Sequence, residues 1–340
     1  MRLVAAPDKL RGTASAADAA AAICRGATAA GWEASAVPVA DGGEGTLEVL
    51  GGPNRETVVT GPLGDEVTAA WRLGRAGVSQ RRTAVIEMAR ASGLVLAGGA
   101  EGNDPMAATT MGTGELISAA IDAGATRIIV CVGGSATTDG GLGALRALEP
   151  LARLRGIEIV VACDVRTTFV DAATFFAEQK GATPSQLRLL TRRLERLAQV
   201  YAQDYGIDVL DVPGSGAAGG LAGGLLCAGA HLVSGFDLVA DELDLPDAVE
   251  GADLVVTGEG FLDEQSFDGK VVGGIVELAS ANDVPVLAVV GEVVDDVVLP
   301  PGLTVVSLVD RFGDERARGD TLACIEAAVA EHLARPSVLP

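Results

Sequence analysis

Histidine is almost missing from this chain: His231 and His332 are the only two in 340 residues. So few imidazoles argue against a histidine-built metal centre and against a Ser-His-Asp triad. Cysteine is sparse and scattered, at Cys24, Cys131, Cys163, Cys227 and Cys324. An odd count at such spacing fits reduced, buried thiols rather than a disulfide framework or a zinc site. No apolar run reaches bilayer-spanning length, so no membrane partner is expected. The opening MRLVAAPDKLRG lacks a long apolar core and a small-residue cleavage site. It reads as a first β-strand, not a signal peptide, and points to the cytoplasm. Positive charge is scarce as well. A net charge of −21 argues against nucleic acid or an anionic membrane as a partner. Lysine occurs only as Lys9, Lys180 and Lys270, in the glycine-bearing contexts KLRG, QKGA and DGKV. A compact mobile ammonium beside glycine suits phosphate binding.

What the chain does have is length, small residues and glycine-rich loops. Its 340 residues, 49% of them hydrophobic, suffice for two domains with filled cores. The organising stretch is 127–142, RIIVCVGGSATTDGGL. Its apolar run, 128–132, is short and β-branched, as in a strand buried on both faces. Gly133, Gly134 and Ser135 follow, then Thr137, Thr138 and Asp139. Glycines there let the chain turn sharply and let a ligand reach backbone N–H groups. The carboxyl end of a parallel strand is where open α/β sheets bind ligands.

The same pattern recurs along the chain. A strand over 3–6 leads into Pro7-Asp8-Lys9-Leu10-Arg11-Gly12, and a helix follows with Ser15 and Asp18 as a capping box and Gly31 as its stop. A second strand, 34–39, leads into Asp41-Gly42-Gly43-Glu44-Gly45-Thr46, which also reads as an N-terminal turn of a helix through Leu47 and Leu50. A hairpin is expected over 57–73, then a strand at 84–88 with Glu87 as an odd charge among apolar neighbours. Residues 98–104 read as a loop, and Thr113 or Gly114 as the cap of a helix ending near Ala123. Helix is expected over 142–154, strand over 157–163, and an amphipathic helix over 186–201. Gly214, Ser215 and Gly216 open a formal G-x-G-x-x-G, but no clear strand leads into it, and close helix packing explains it equally well. No P-loop motif is present. A strand over 252–257 ends in Gly258-Glu259-Gly260, with Asp263 and Lys270 behind it. Strands at 284–290 and 303–309 and a helix over 321–333 complete the series, and the closing RPSVLP is expected to fray.

With these loops in view, the chain resembles the bacterial glycerate kinase family, of the glycerate 2-kinase type. The matching stretches are APDKLRGT, VADGGEGT, TGPLG, VIEMARASGL, TTMGTGELI, GGSATTDGG, VACDV, QKGAT, PGSGAAGGL and TGEGFLDEQSFDGKV, in family order. The resemblance implies ATP-dependent phosphorylation of D-glycerate to 2-phosphoglycerate, with Mg²⁺. It also implies an α/β fold of two domains with the active site in the cleft between them. One is a discontinuous, Rossmann-like parallel-sheet domain (1–58 with 250–340), the other an inserted α/β domain (59–249). The chain departs from the family pattern at Lys9-Leu10-Arg11, where Ser-Phe-Lys is usual. It departs again at Arg166-Thr167-Thr168 after VACDV, and at Phe261, where Arg usually follows GEG.

Phosphoryl transfer needs positioning and charge neutralisation more than a special nucleophile. On that basis Gly133, Gly134 and Ser135 are expected to cradle phosphate, with Gly42, Gly43, Gly214, Ser215 and Gly216 as further binding positions. Asp8 is the candidate general base. Asp41, Glu44 and Asp139 are candidates for holding Mg²⁺ or orienting the acceptor hydroxyl. Lys9, Arg11, Lys180 and Lys270 are candidates for the substrate carboxylate or the migrating phosphoryl group, and Glu259 and Asp263 belong to the same expected site. Asp139→Ala and Asp41→Ala are expected to abolish activity without unfolding the protein. A kinase for another small hydroxy acid and a silent nucleotide- or sugar-acid-binding paralogue stay open as alternatives, and so does the oligomeric state.

Overall fold

A computed structural model describes residues 1–76, 81–294 and 297–334; the closing RPSVLP lies outside the described residues. Thirteen strands occur among them. In chain order they are β1 (Arg2–Ala5), β2 (Glu33–Ala36), β3 (Arg55–Thr60), β4 (Glu66–Ala76), β5 (Arg81–Glu87), β6 (Arg127–Cys131) and β7 (Glu158–Cys163). Then come β8 (His231–Ser234), β9 (Leu254–Thr257), β10 (Phe261–Leu262), β11 (Val286–Val290), β12 (Glu292–Val293) and β13 (Leu303–Ser307). The chain divides into two compact units, residues 1–41 with 236–340, and residues 42–235.

The first unit is built on a five-stranded sheet in the order β13-β11-β9-β1-β2, parallel throughout. Its inner strands β1, β9 and β11 are short and apolar because both of their faces are packed, whereas the edge strand β2 is largely exposed. The helix Ala16–Ala29 starts where Ser15 accepts the N–H of Asp18. Its alanines bring it close to the helix Thr321–Leu333: a Cβ on Gly26 would lie 2.5 Å from the carbonyl oxygen of Glu326. From β1 the sheet grows one way to β2 and the other way to β9, β11 and β13. The carboxyl ends of β1 and β9 therefore flank a topological switch point, where a doubly wound sheet leaves a crevice for ligand.

The second unit carries a six-stranded mixed sheet, β3-β4-β5-β6-β7-β8. The expected hairpin supplies its antiparallel edge, and β5 to β8 run parallel. In β6, Ile128, Ile129 and Val130 are wholly buried, each contributing on the order of 1.5–3 kcal/mol relative to exposure.

Several local expectations change. The helix expected over 142–154 stops at Leu148, and a 3-10 turn, Leu151–Leu154, follows Pro150, whose missing N–H breaks the ladder. Thr110, not Thr113 or Gly114, stands at the N-cap of Met111–Asp122; the other two lie buried in the first turn. Residues 98–104 contain one helical turn, Gly99–Gly102. The strand expected over 303–309 ends at Ser307, which caps Leu308–Phe312 by accepting the N–H of Asp310. Among the described residues no helix is long and apolar enough to cross a membrane.

Candidate functional site

In the first unit the loops after β1 and β9 meet at the switch point. The N–H of Asp8 donates to the carbonyl of Gly258 at 2.8 Å. A Cβ on Gly260 would lie 3.1 Å from the backbone nitrogen of Arg11, so glycine allows the two loops to touch. Seven expected site residues belong to this unit: Asp8, Lys9, Arg11, Asp41, Glu259, Asp263 and Lys270. Asp8 accepts the N–H of Lys9 at 2.7 Å. Burial pushes its carboxyl up to about 6, with Lys9 opposing, Asp41 adding and Lys270 opposing. Burial likewise pushes Glu259 up to about 7 against a hydrogen bond from Ser266 and the field of Lys270, while Asp8 and Asp263 add to the rise. The Oε1 atom of Glu259 is buried and makes no hydrogen bond. Asp263 accepts both the N–H and the hydroxyl of Ser266, opening the 3-10 turn Glu264–Phe267. Lys270 stands at the N-cap of Val271–Ser280. These groups form a mixed cluster in which the Asp8 and Glu259 carboxyls are raised toward neutrality, the range in which a general base works best.

In the second unit residues 42–46 lie across the carboxyl ends of the parallel strands. A Cβ on Gly42 would lie 2.5 Å from Gly235 Cα, just past β8, and 2.9 Å from Ala162 Cβ in β7. One on Gly133, just past β6, would lie 3.1 Å from Gly43 Cα, and one on Gly134 would lie 2.6 Å from Glu44 Oε1. The N–H of Gly45 donates to Glu87, at the end of β5. The 133–135 loop is fixed from its far side, since Leu94 N–H donates to the Gly134 carbonyl and Ala136 N–H to the Ser92 carbonyl. No described group accepts the N–H groups of Gly133, Gly134 or Ser135. Gly134 is exposed with φ +70°. The loop thus offers backbone donors, supported by packing, to an anionic ligand.

Other expected site residues turn inward. Asp139 is 2% exposed. It accepts the N–H and hydroxyl of Thr110, both at 2.9 Å, and the N–H groups of Gly141 and Gly143 at 3.1 and 3.2 Å. With its oxygens so engaged it ties the loop to Thr110 and to the start of the helix Leu142–Leu148. Lys180 is buried, and its Nζ donates to the Thr137 carbonyl at 2.7 Å. Burial lowers its ammonium to about 7, opposed by Asp139. It props the loop from beneath instead of reaching solvent. Ser215 is wholly buried and gives its hydroxyl to the Val209 carbonyl. Gly214 and Gly216 are buried with it, and Gly216 donates its N–H to the Thr167 carbonyl.

The PGSGAAGG stretch packs closely against neighbouring backbone. Ala218, Gly219 and Gly220 adopt left-handed backbone at the start of Ala217–Cys227. A Cβ on Gly219 would strike the Thr137 carbonyl, and one on Gly224 would lie 2.7 Å from the Gly140 carbonyl. Gly140 N–H donates to the Gly219 carbonyl at 3.0 Å. Thr110 and Arg90 were not singled out from sequence, since neither stands out in its stretch. Glu87 did stand out, and its charge within an apolar strand was the usable signal.

Among the described residues no group of three or more His, Cys, Asp or Glu side chains is arranged to hold a metal ion. Mg²⁺ does not demand one, because it is held by one or two carboxylates together with substrate phosphates and water. Asp41 and Glu44, both partly exposed, have the hard oxygen chemistry it prefers.

A model of the Glycerate kinase family matches residues 3–152 and 149–316. The chain belongs to the glycerate kinase family. The Glycerate 2-kinase of Escherichia coli (strain K12) is 40% identical over 337 residues, covering 87% of each chain. The Glycerate kinase of Bacillus subtilis (strain 168) is 40% identical over 334 residues, 87% of this chain and 86% of that one. A crystal structure assigned to glycerate kinase 2 of Salmonella typhimurium LT2 superposes with a TM-score of 0.80 at 34% identity. It covers 98% of this chain and 97% of that chain, so the family's fold extends over both units.

Proposed function

We propose that this protein is a cytoplasmic glycerate kinase that phosphorylates D-glycerate with ATP and Mg²⁺ to give 2-phosphoglycerate. The observation that carries the reading is the pair of loop clusters. One presents backbone donors at Gly133, Gly134 and Ser135; the other presents near-neutral carboxyls beside lysine. The reading gives phosphate binding to the second unit and acceptor chemistry to the first, with the discontinuous and inserted domains of the family corresponding to them. Asp8 takes the proton of the attacking hydroxyl, and Glu259 and Asp263 hold the cluster in order. Lys9, Arg11 and Lys270 meet the substrate carboxylate and the charge that develops on transfer. Mg²⁺ would be held by Asp41 and Glu44 and would supply charge neutralisation at the phosphates. Asp139 and Lys180 act from within, by fixing the loop that carries the donors. Cys24, Cys163, Cys227 and Cys324 are free thiols, as suits a reducing compartment.

The test is an ADP-release assay with ATP, Mg²⁺ and D-glycerate, the product identified by phosphorus NMR. Formation of 2-phosphoglycerate is expected. Folded protein that ATP stabilises but that leaves D-glycerate untouched would overturn the acceptor and point to another hydroxy acid.

A further inference from the structure

We infer that Glu87 is a positioning residue that sets the conformation of residues 42–46 and, through them, the surface over Gly133 and Gly134. The inference rests on the reading of those two loops as the phosphate site. Glu87 ends β5 and is 4% exposed. Its Oε1 accepts the N–H groups of Gly45 and Leu47 at 2.8 and 3.0 Å. Its Oε2 accepts Arg90 Nε at 2.8 Å, and the same guanidinium reaches Glu48 Oε1 at 3.2 Å.

The segment is held by contacts from neighbouring elements of the second unit. The helix it opens, Thr46–Val49, is a single turn, too short to persist without tertiary contacts. Gly45 is left-handed at φ +98°, and no side chain of the helix's own N-cap closes its first turn. Glu87 supplies that missing acceptor from a neighbouring strand. Gly43 and Glu44 lie between this anchor and the contacts with Gly133 and Gly134 already described, so a shift of the anchored end changes what covers the free amides. Glu87 touches neither of those glycines and acts through the loop.

The test compares Glu87→Ala, Glu87→Gln and Arg90→Ala by hydrogen exchange over residues 42–50 and by steady-state kinetics. Glu87→Ala should speed exchange in that segment about tenfold or more while leaving β6 protected. It should raise the KM for ATP about tenfold with the KM for D-glycerate within about twofold. Glu87→Gln keeps an acceptor oxygen and should recover both readouts to within about threefold of wild type. Arg90→Ala spares the two Oε1 bonds and should leave exchange over 42–50 near wild type.

Unchanged exchange in Glu87→Ala would overturn the inference, as would a glutamine variant no better than alanine. Equal movement of both KM values would reduce Glu87 to a general stability role and overturn it too. Should Glu87→Ala fail to fold, Glu87→Asp, one methylene short of the Gly45 and Leu47 amides, decides by the same readouts. If wild type does not turn over D-glycerate, the acceptor reading fails. Exchange and the calorimetric Kd for ATP then still decide the role of Glu87.

Discussion

Asp8 and Glu259 in the first unit and Asp139 in the second all sit in glycine-bearing loops that follow strands, yet their surroundings differ in kind. Asp139 is ringed by donors: two from Thr110 and one each from Gly141 and Gly143. Glu259 has an oxygen with no donor at all, and burial lifts both it and Asp8 toward neutrality. A buried carboxylate supplied with amides is a structural tie; one left short of donors is poised to take a proton. Loops that look alike as strings thus saturate their carboxylate with donors in one unit and leave a carboxyl oxygen without one in the other.

The widest separation should come from Gly219→Val. The new side chain would meet the Thr137 carbonyl in a left-handed backbone, costing roughly 3–5 kcal/mol by combining strain with overpacking. Denaturant unfolding should show the second unit losing cooperativity first. A wild-type midpoint would remove close packing as the role of PGSGAAGG.

Asp139→Ala should cost about 3–5 kcal/mol, because it strands three amides and leaves Lys180 buried without its nearby carboxylate. Loss of activity at unaltered stability would make Asp139 a member of the reactive cluster after all and dissolve the contrast.

Asp8→Asn and Glu259→Gln should do the reverse. Activity should fall, about 10²- to 10⁴-fold for Asp8 if it is the general base, while stability at pH 8 rises. Both folded-state values are raised, so the folded protein keeps protons that the unfolded chain has released. Their contribution to stability is therefore full below about pH 4 and declines as pH rises through about 6 for Asp8 and about 7 for Glu259. Lys180 runs oppositely: its value is lowered to about 7, and stability from it recovers as pH climbs from there toward 10.5. Thermal melts from pH 5 to 8 should show a flatter decline in the double variant Asp8→Asn/Glu259→Gln. An unchanged slope would mean that these carboxyls ionise as freely folded as unfolded.

The smallest effect serves as a control. Ser15→Ala in the first unit and Thr183→Ala in the second remove helix N-caps of the same kind and should each cost about 1 kcal/mol. A marked inequality would place part of the contrast in the helices and not in the loops.

Legibility followed the range of the forces involved. Strand cores, the Ser15 cap and the final helix Thr321–Leu333 could be read directly, because apolar runs and caps are local signals. Burial of Lys180 and Ser215 could not, because a lysine or serine beside glycine looks the same whether it faces solvent or the interior. Thr110 lies 29 residues before the Asp139 it ties, and nothing near either position announces the other. At PGSGAAGG the sequence left phosphate binding and close packing open for the same reason: glycines that would admit a phosphate also admit another backbone.

The α/β class, the family and the set of glycine-rich loops after strands are specified locally, by runs and motifs of a few neighbouring residues. The fold settles which buried carboxyls are saturated with donors, as Asp139 is, and which are not, as at Glu259. That outcome depends on how many donors each buried oxygen finds, and those donors come from segments far away in the chain.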